Sequence, residues 1–213
     1  MTSRSWAAGS PARSPGVPAL FAPRRHVVDR LLASAAAAAG AHFEFGMPVT
    51  GLLRDDHGRV RGVRATGSGG RELRIGAMLT VGAGGVGSRI AREARAEVLH
   101  EGSAASAALY GYVPSETLAR DSGTAAYEWC YGRAAAAGVI PTGDGQSCVF
   151  VSTTRARMRA LRASGRDATF RTLLDEAAPT VAARLEGVAT PPEMRGWGGL
   201  RGYVRRAWGE GWA

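Results

Sequence analysis

The sequence predicts an α/β (α+β) protein: a helix and an antiparallel meander run into a glycine-rich turn, and an antiparallel sheet with helices follows. Three observations predict it. Val28, Leu31, Leu32, Ala35 and Ala39 recur at the spacing of one helical face. Short apolar runs between Val49 and Ile75 are separated by turn formers. The apolar stretch Ile75–Thr80 leads into Gly82-Ala83-Gly84-Gly85-Val86-Gly87-Ser88, and Ser88 to Val98 has helical character.

The elements follow in order. Residues 1–19, rich in Ser, Pro, Ala, Gly and Arg and without periodicity, read as a disordered leader. Their acid-free, Arg- and Ser-bearing composition is also that of a transit peptide. The first helix starts at Arg25 and Gly40 is placed to end it. Ala41–Phe45 reads as a short strand and Val49–Arg54 as another. Asp55-Asp56-His57-Gly58 turns the chain into a strand at Val60–Ala65. Ser68-Gly69-Gly70 turns it again, so that Glu72–Ile75 pairs back, and Met78–Val81 is a strand leading into the glycine turn. After about residue 100, strands are predicted at Ala104–Val113, Ala126–Gly132, Ala137–Ile140 and Ser147–Ser152. Pro141–Gly145 is the tight connection between the last two. Helices are predicted at Arg155–Ala163, Thr169–Ala177 and from Pro179 to Leu185, and one strand at Glu193–Val204.

At 213 residues the chain can build one substantial core, or one domain and part of another. The net charge of +9 suggests a nucleic-acid partner at first sight. The chain has no lysine and no asparagine, however, and its arginines are scattered without interleaved aromatics. That pattern reflects a GC-rich coding sequence and argues against a strand-binding groove. Cys130 and Cys148 lie far apart without metal-type spacing and read as buried thiols, a single disulfide being unsupported. No stretch of about 18 apolar residues predicts a membrane span. The N-terminus lacks the apolar region of a secretory signal, so a cytoplasmic protein is expected.

Arg25 is a cation at a helix N-terminus, the end that carries partial positive charge. Two readings stand: an i,i+4 pair with Asp29, or an anionic ligand suited to an arginine fork. The glycine turn also has two readings. Its letters satisfy GxGxxG, whose free amides suit a phosphate-bearing cofactor. Yet an antiparallel meander precedes it, and no acidic residue ends a strand about 20 residues later, as a dinucleotide site requires. His26, His42, His57 and His100 have no partner at motif spacing, and no metal-ligand cluster appears. Trp129, Trp197, Trp208 and Trp212 read as core or interface residues. No catalytic side chain and no metal ligand is assigned.

Three segments in order resemble the FAD-dependent monooxygenase and geranylgeranyl-reductase-like superfamily, the flavoproteins built like para-hydroxybenzoate hydroxylase. Ala22–Leu32 resembles that family's helix signature, an Arg followed by an apolar residue, Asp and Leu. Gly58–Val63 through Gly82–Arg89 is similar to its hairpin and Gly-Ala-Asp-Gly-x-x-Ser element. Gly138–Thr142 and then Arg205–Ala213 resemble the approach to its Gly-Asp flavin motif.

The resemblance implies a partial FAD-binding domain at 20–100 and a substrate-domain-like sheet with helices at 101–213. It implies FAD as cofactor, NAD(P)H as reductant and a small organic substrate. Arg25 would contact FAD, and Gly82, Ala83, Gly84, Gly85 and Ser88 would lie near the cofactor diphosphate, with Pro141 on the flavin side. The family's opening strand–GxGxxG–helix unit has no counterpart before Arg25. Its Leu-Val-Gly-Asp is expected just past Ala213, and Gly84 stands where the family has its acid. The expectation is therefore a truncated or partial FAD-dependent oxidoreductase that binds FAD weakly or not at all by itself. Two other expectations stand beside it. One is a non-catalytic remnant or partner-dependent subunit, with self-association or a second chain covering exposed edges. The other is a stand-alone NAD(P)-binding protein that uses Gly82–Gly87.

Overall fold

The computed structural model describes residues 21–102, 106–118, 127–188, 191, 193–199 and 202–213. The expected leader and the first residues of the strand expected from Ala104 lie outside them. In chain order the elements are helix α1 (Arg25–Ala38), strands β1 (Val49–Arg54), β2 (Val60–Thr66) and β3 (Glu72–Gly76), helix α2 (Arg89–Glu93), and strands β4 (Val98–Glu101), β5 (Ser106–Pro114), β6 (Glu128–Tyr131), β7 (Ala135–Pro141) and β8 (Gln146–Thr154). Helices α3 (Arg155–Leu161), α4 (Arg166–Ala177) and α5 (Pro179–Arg184) and strands β9 (Arg195–Trp197) and β10 (Tyr203–Arg205) complete it. The chain divides into two units, one within Met1–Ala33 and Ala104–Arg201, the other within Ser34–Ser103 and Gly202–Ala213.

The first unit is built on an antiparallel sheet of order β6-β7-β8-β5-β9. Its strands follow from alternation. In β8 Ser147, Val149, Val151 and Thr153 are buried while the residues between them are half-exposed, the period of a strand with one covered face. β5 and β8 pair without a break from Ser106↔Thr154 to Pro114↔Gln146. β7 and β8 are joined by a turn in which Asp144 (φ 62°) and Gly145 (φ 65°) are both left-handed, the geometry that matches strand twist in two-residue hairpins. Phe170, Leu173 and Leu174 of α4 and Val181 of α5 join Val139, Val149 and Val151 of the sheet in one buried cluster. Pro179 opens α5, where its missing N–H costs nothing.

The second unit holds the meander β1-β2-β3 and the pair β4-β10, all antiparallel. Leu52, Val60, Ala96 and Trp212 are its buried cluster. Gly211 takes φ +76°, and a Cβ there would collide with the Val60 carbonyl oxygen. Only glycine therefore lets the last turn lie on β2, where the Val60 N–H donates to the Glu210 carbonyl at 3.0 Å.

Several expectations are corrected. Ala41–Phe45 is not a strand, and Met78–Val81 contributes only an isolated parallel bridge between Thr80 and Trp212. The helix expected over Ser88–Val98 is the five-residue α2, because the chain turns at Ala94 and Arg95, the latter at φ 54°. The single strand expected over Glu193–Val204 is two short strands in different sheets. The stripe on α1 is not packed, for the helix has no buried residue and Leu31 and Leu32 are exposed. Of Trp129, Trp197, Trp208 and Trp212 only Trp212 is buried, and Trp208 is 69% exposed. Cys130 and Cys148 are half-buried and not joined in a disulfide.

Candidate functional site

The two groups of expected site residues belong to different units and are described separately. In the first unit, Arg25 opens α1, where its Nε donates to Asp29 Oδ2 at 3.1 Å. Both side chains are well exposed, at 91% and 57%, so the pair is worth only ~0.3–0.5 kcal/mol. The remaining guanidinium donors have no partner among the described residues, so the salt bridge does not exhaust this side chain. The residues just before are anchored. Thr142 Oγ1 donates to the Ala22 carbonyl at 2.6 Å, and the Arg24 guanidinium lies 4.1 Å from the Tyr112 ring centre. Burial pushes the Cys148 thiol above its ordinary pKa, opposed by the charge of Arg24.

In the second unit the glycine turn is held at both ends. Ahead of it, Thr80 N–H donates to the Gly211 carbonyl at 2.9 Å, Ala213 N–H to that of Thr80 at 3.0 Å, and Gly82 N–H to that of Ala213 at 2.7 Å. Behind it, Ser88 Oγ accepts from Ala91 N–H at 3.2 Å and caps α2. Tyr203 Oη donates to the Val86 carbonyl at 2.6 Å. The glycines divide by role. A Cβ at Gly82 would come within 2.8 Å of Ile90 Cβ, so this glycine lets α2 pack close. A Cβ at Gly84 would lie 3.2 Å from Ser88 Cα, whereas at Gly85 and Gly87 it would meet nothing within 4 Å. Ala83 and Gly84 to Gly87 are exposed. The turn thus presents bare backbone outward, a surface that a cofactor can approach closely. Gly84 is the N-cap of the short 3₁₀ turn Gly85–Gly87 and has no side chain to cap it. Four residues before Gly84, the buried Thr80 Oγ1 has no hydrogen-bond partner among the described residues.

The remaining strong electrostatic contacts are structural. Arg184 grips both Glu128 carboxylate oxygens at 2.8–3.0 Å and the Leu118 carbonyl at 2.7 Å. Arg157 pairs with Glu176 through both carboxylate oxygens. Among the described residues there is no group of His, Cys, Asp and Glu able to hold a metal, and no helix is long and apolar enough to cross a membrane. A cleft lined by Arg54, Arg64, Arg89, Arg92 and Arg95 is invisible in the sequence, because the meander and the segment around α2 each contribute part of it.

No curated protein matches this chain. Among solved structures, the myxobacterial chondrochloren halogenase CndH superimposes with a TM-score of 0.71 at 20% identity, covering 91% of this chain and 45% of that one. The flavin-dependent brominase Bmp2 gives 0.72 at 16% identity, covering 89% and 47%. PqsL, a probable FAD-dependent monooxygenase from Pseudomonas aeruginosa, gives 0.61 at 20% identity, covering 88% and 50%. The chain spans half or less of the length of each. These likenesses agree with the mixed, antiparallel-sheet fold and carry no residue assignment by themselves. The family described as FAD binding domain matches residues 17–211. The chain belongs to this FAD-binding family, as the order of its helix, meander and glycine turn suggested.

Proposed function

We propose that the chain is part of an FAD-dependent oxidoreductase acting on a small organic molecule. The match of residues 17–211 to the FAD binding domain family carries this reading. The residues present fit the cofactor. Arg25 keeps guanidinium donors open to an anionic group, and Gly85 and Gly87 leave room for close approach to the backbone. Arg25, and separately Gly82, Ala83, Gly84, Gly85 and Ser88, are the proposed FAD contacts. FAD, when bound, supplies two-electron redox chemistry and reactivity toward oxygen, and the protein supplies position and exclusion of water. Reduction by NAD(P)H, monooxygenase as against reductase chemistry, and a cytoplasmic setting belong to the same proposal. The names of the structural neighbours, halogenases and a probable monooxygenase, are compatible with it.

A specific observation favours a second reading, a subunit that works beside another chain or a second copy. Met78, Leu79, Val81 and Val86 are exposed at 87%, 56%, 67% and 59%, a run of apolar surface beside the glycine turn that association would cover. The third reading, a stand-alone NAD(P) site, draws less support, since the helix behind the turn has five residues and Ser88 caps it.

FAD titration of the whole chain, read by quenching of flavin fluorescence, tests the leading reading. The expected result is weak, saturable binding, weakened about tenfold in Arg25→Ala by the loss of one charge-assisted contact. Wild-type affinity in both Arg25→Ala and Gly85→Val overturns the proposed contacts, and tight stoichiometric binding of FAD overturns the partial character of the site.

A further inference from the structure

The second unit carries an open cleft of about 840 Å³ whose charged lining is almost wholly cationic. Arg54 comes from β1, Arg64 from β2, Arg89 and Arg92 from α2, and Arg95 from the turn that ends it. Glu93 is the one acidic lining residue, so five positive charges face one negative charge. Glu93 reaches Arg89 only at 4.0 Å. Arg54 is spent on structure, its Nη atoms donating to the carbonyls of Gly58 at 2.7 Å and Glu93 at 3.0 Å. Arg64, Arg92 and Arg95 are different. Among the described residues none of their side chains has a hydrogen-bond or ion-pair partner.

The Arg64 guanidinium lies over Gly51, where a Cβ would come within 2.5 Å of Nη2. Arg95 holds a left-handed backbone at φ 54°, a position that glycine or asparagine usually fills at a helix end. Like charges gathered in one concavity repel, and a multivalent anion relieves that repulsion while filling several donors at once. Planar guanidinium forks match the oxygens of phosphate groups, and a diphosphate offers more acceptor oxygens to several forks than a single carboxylate does.

We infer that this cleft is a binding site for a diphosphate group, built by β1, β2 and α2. A free inorganic diphosphate and the diphosphate of a nucleotide share this chemistry. The inference does not depend on FAD binding, because none of the proposed flavin contacts lines the cleft.

Isothermal titration of the whole chain with inorganic pyrophosphate tests it, with ADP and AMP as parallel arms and potassium chloride matching ionic strength. Saturable one-to-one binding of pyrophosphate is expected, weakened at least about tenfold in Arg64→Ala/Arg92→Ala and unchanged in Arg206→Ala, whose side chain pairs with Glu97. Binding of ADP but not AMP as tightly as pyrophosphate assigns the site to nucleotide diphosphates, and binding of pyrophosphate alone assigns it to the free anion. Should the double variant fold poorly, arginine modification by phenylglyoxal on the unaltered chain replaces it, and pyrophosphate must protect Arg64, Arg92 and Arg95 selectively. No saturable binding, wild-type affinity in the folded double variant, or protection spread evenly over all arginines overturns the inference.

Discussion

Arg184 shows how a single side chain ties the first unit together. It serves both oxygens of Glu128 on β6 and the carbonyl of Leu118, and Glu128 is only 9% exposed at its side chain. Removing the arginine takes away the bidentate partner of a nearly buried carboxylate, so that its desolvation is offset less. Arg184→Ala should therefore destabilise the protein by about 3 kcal/mol, seen as a lower urea midpoint at unchanged m-value, while Arg184→Lys should recover part of the loss. A midpoint within error of wild type would refute it. Glu176 makes a different prediction. The hydrogen bond from Arg157 holds its carboxyl below the ordinary value of 4.5, desolvation opposes this, and the Ala134 N–H and the arginine charge add to it. A carboxyl depressed in the folded state stabilises the fold above its unfolded pKa, and that contribution is lost as pH falls through the folded value. Tm should thus decline below about pH 4.5. Glu176→Gln should lower Tm at neutral pH and flatten that acid decline, and an unaltered acid limb would show that the pair plays no part.

At the scale of elements, local chemistry was legible and long-range pairing was not. Val49–Arg54 was predicted to the residue because Asp55-Asp56-His57-Gly58 is a turn by composition, and Asp55 Oδ1 indeed accepts from the N–H groups of His57 and Arg59. Gly40 ends α1 at φ +95°, as a helix C-terminal glycine should. The helix behind the glycine turn was overestimated because nothing in Ala94-Arg95 resembles a stop signal, and an arginine takes the left-handed position. The role of residues 209–213 beside Thr80 and Gly82 could not be read at all, since it joins segments over 100 positions apart. For the same reason the glycine turn was found in the sequence, whereas the arginine cleft was not. The β7–β8 hairpin allows the local argument to be measured. Gly145 is left-handed at φ +65° with nothing within 4 Å of a Cβ, so a side chain there adds backbone strain without a clash. Gly145→Ala should cost about 1–2 kcal/mol in chemical denaturation with the fold retained. A neutral substitution would show that this turn relaxes to another type.

At the scale of the molecule, the two units differ in how much apolar surface each can bury. The first packs the sheet face of β5, β7 and β8 against α4 and α5 in one large cluster that includes Phe170, Leu173, Val149 and Val151, each exposed by at most 1%. The second rests on Leu52, Val60, Ala96 and Trp212, supplemented by the half-buried Val63, Ile90, Ala91 and Ala94. Its strand β4 is exposed at every residue, and so are all residues of β3 but one. Burial of apolar area is the main favourable contribution to folding, at about 25 cal/mol per Å². Opening the second unit should therefore cost less than opening the first, although both are rich in backbone hydrogen bonds. Native-state hydrogen exchange resolves this element by element. Amides of β5, β7, β8 and α4 should exchange slowest, with protection near the global stability. Those of β3 and β4 should exchange through smaller openings that are insensitive to low denaturant. The proposed ligands then sharpen the test. Pyrophosphate in the arginine cleft should slow exchange in β1, β2 and α2 specifically, because a ligand stabilises only the openings that destroy its site. Equal protection of both units without ligand would show that the smaller core is reinforced by interactions other than apolar burial.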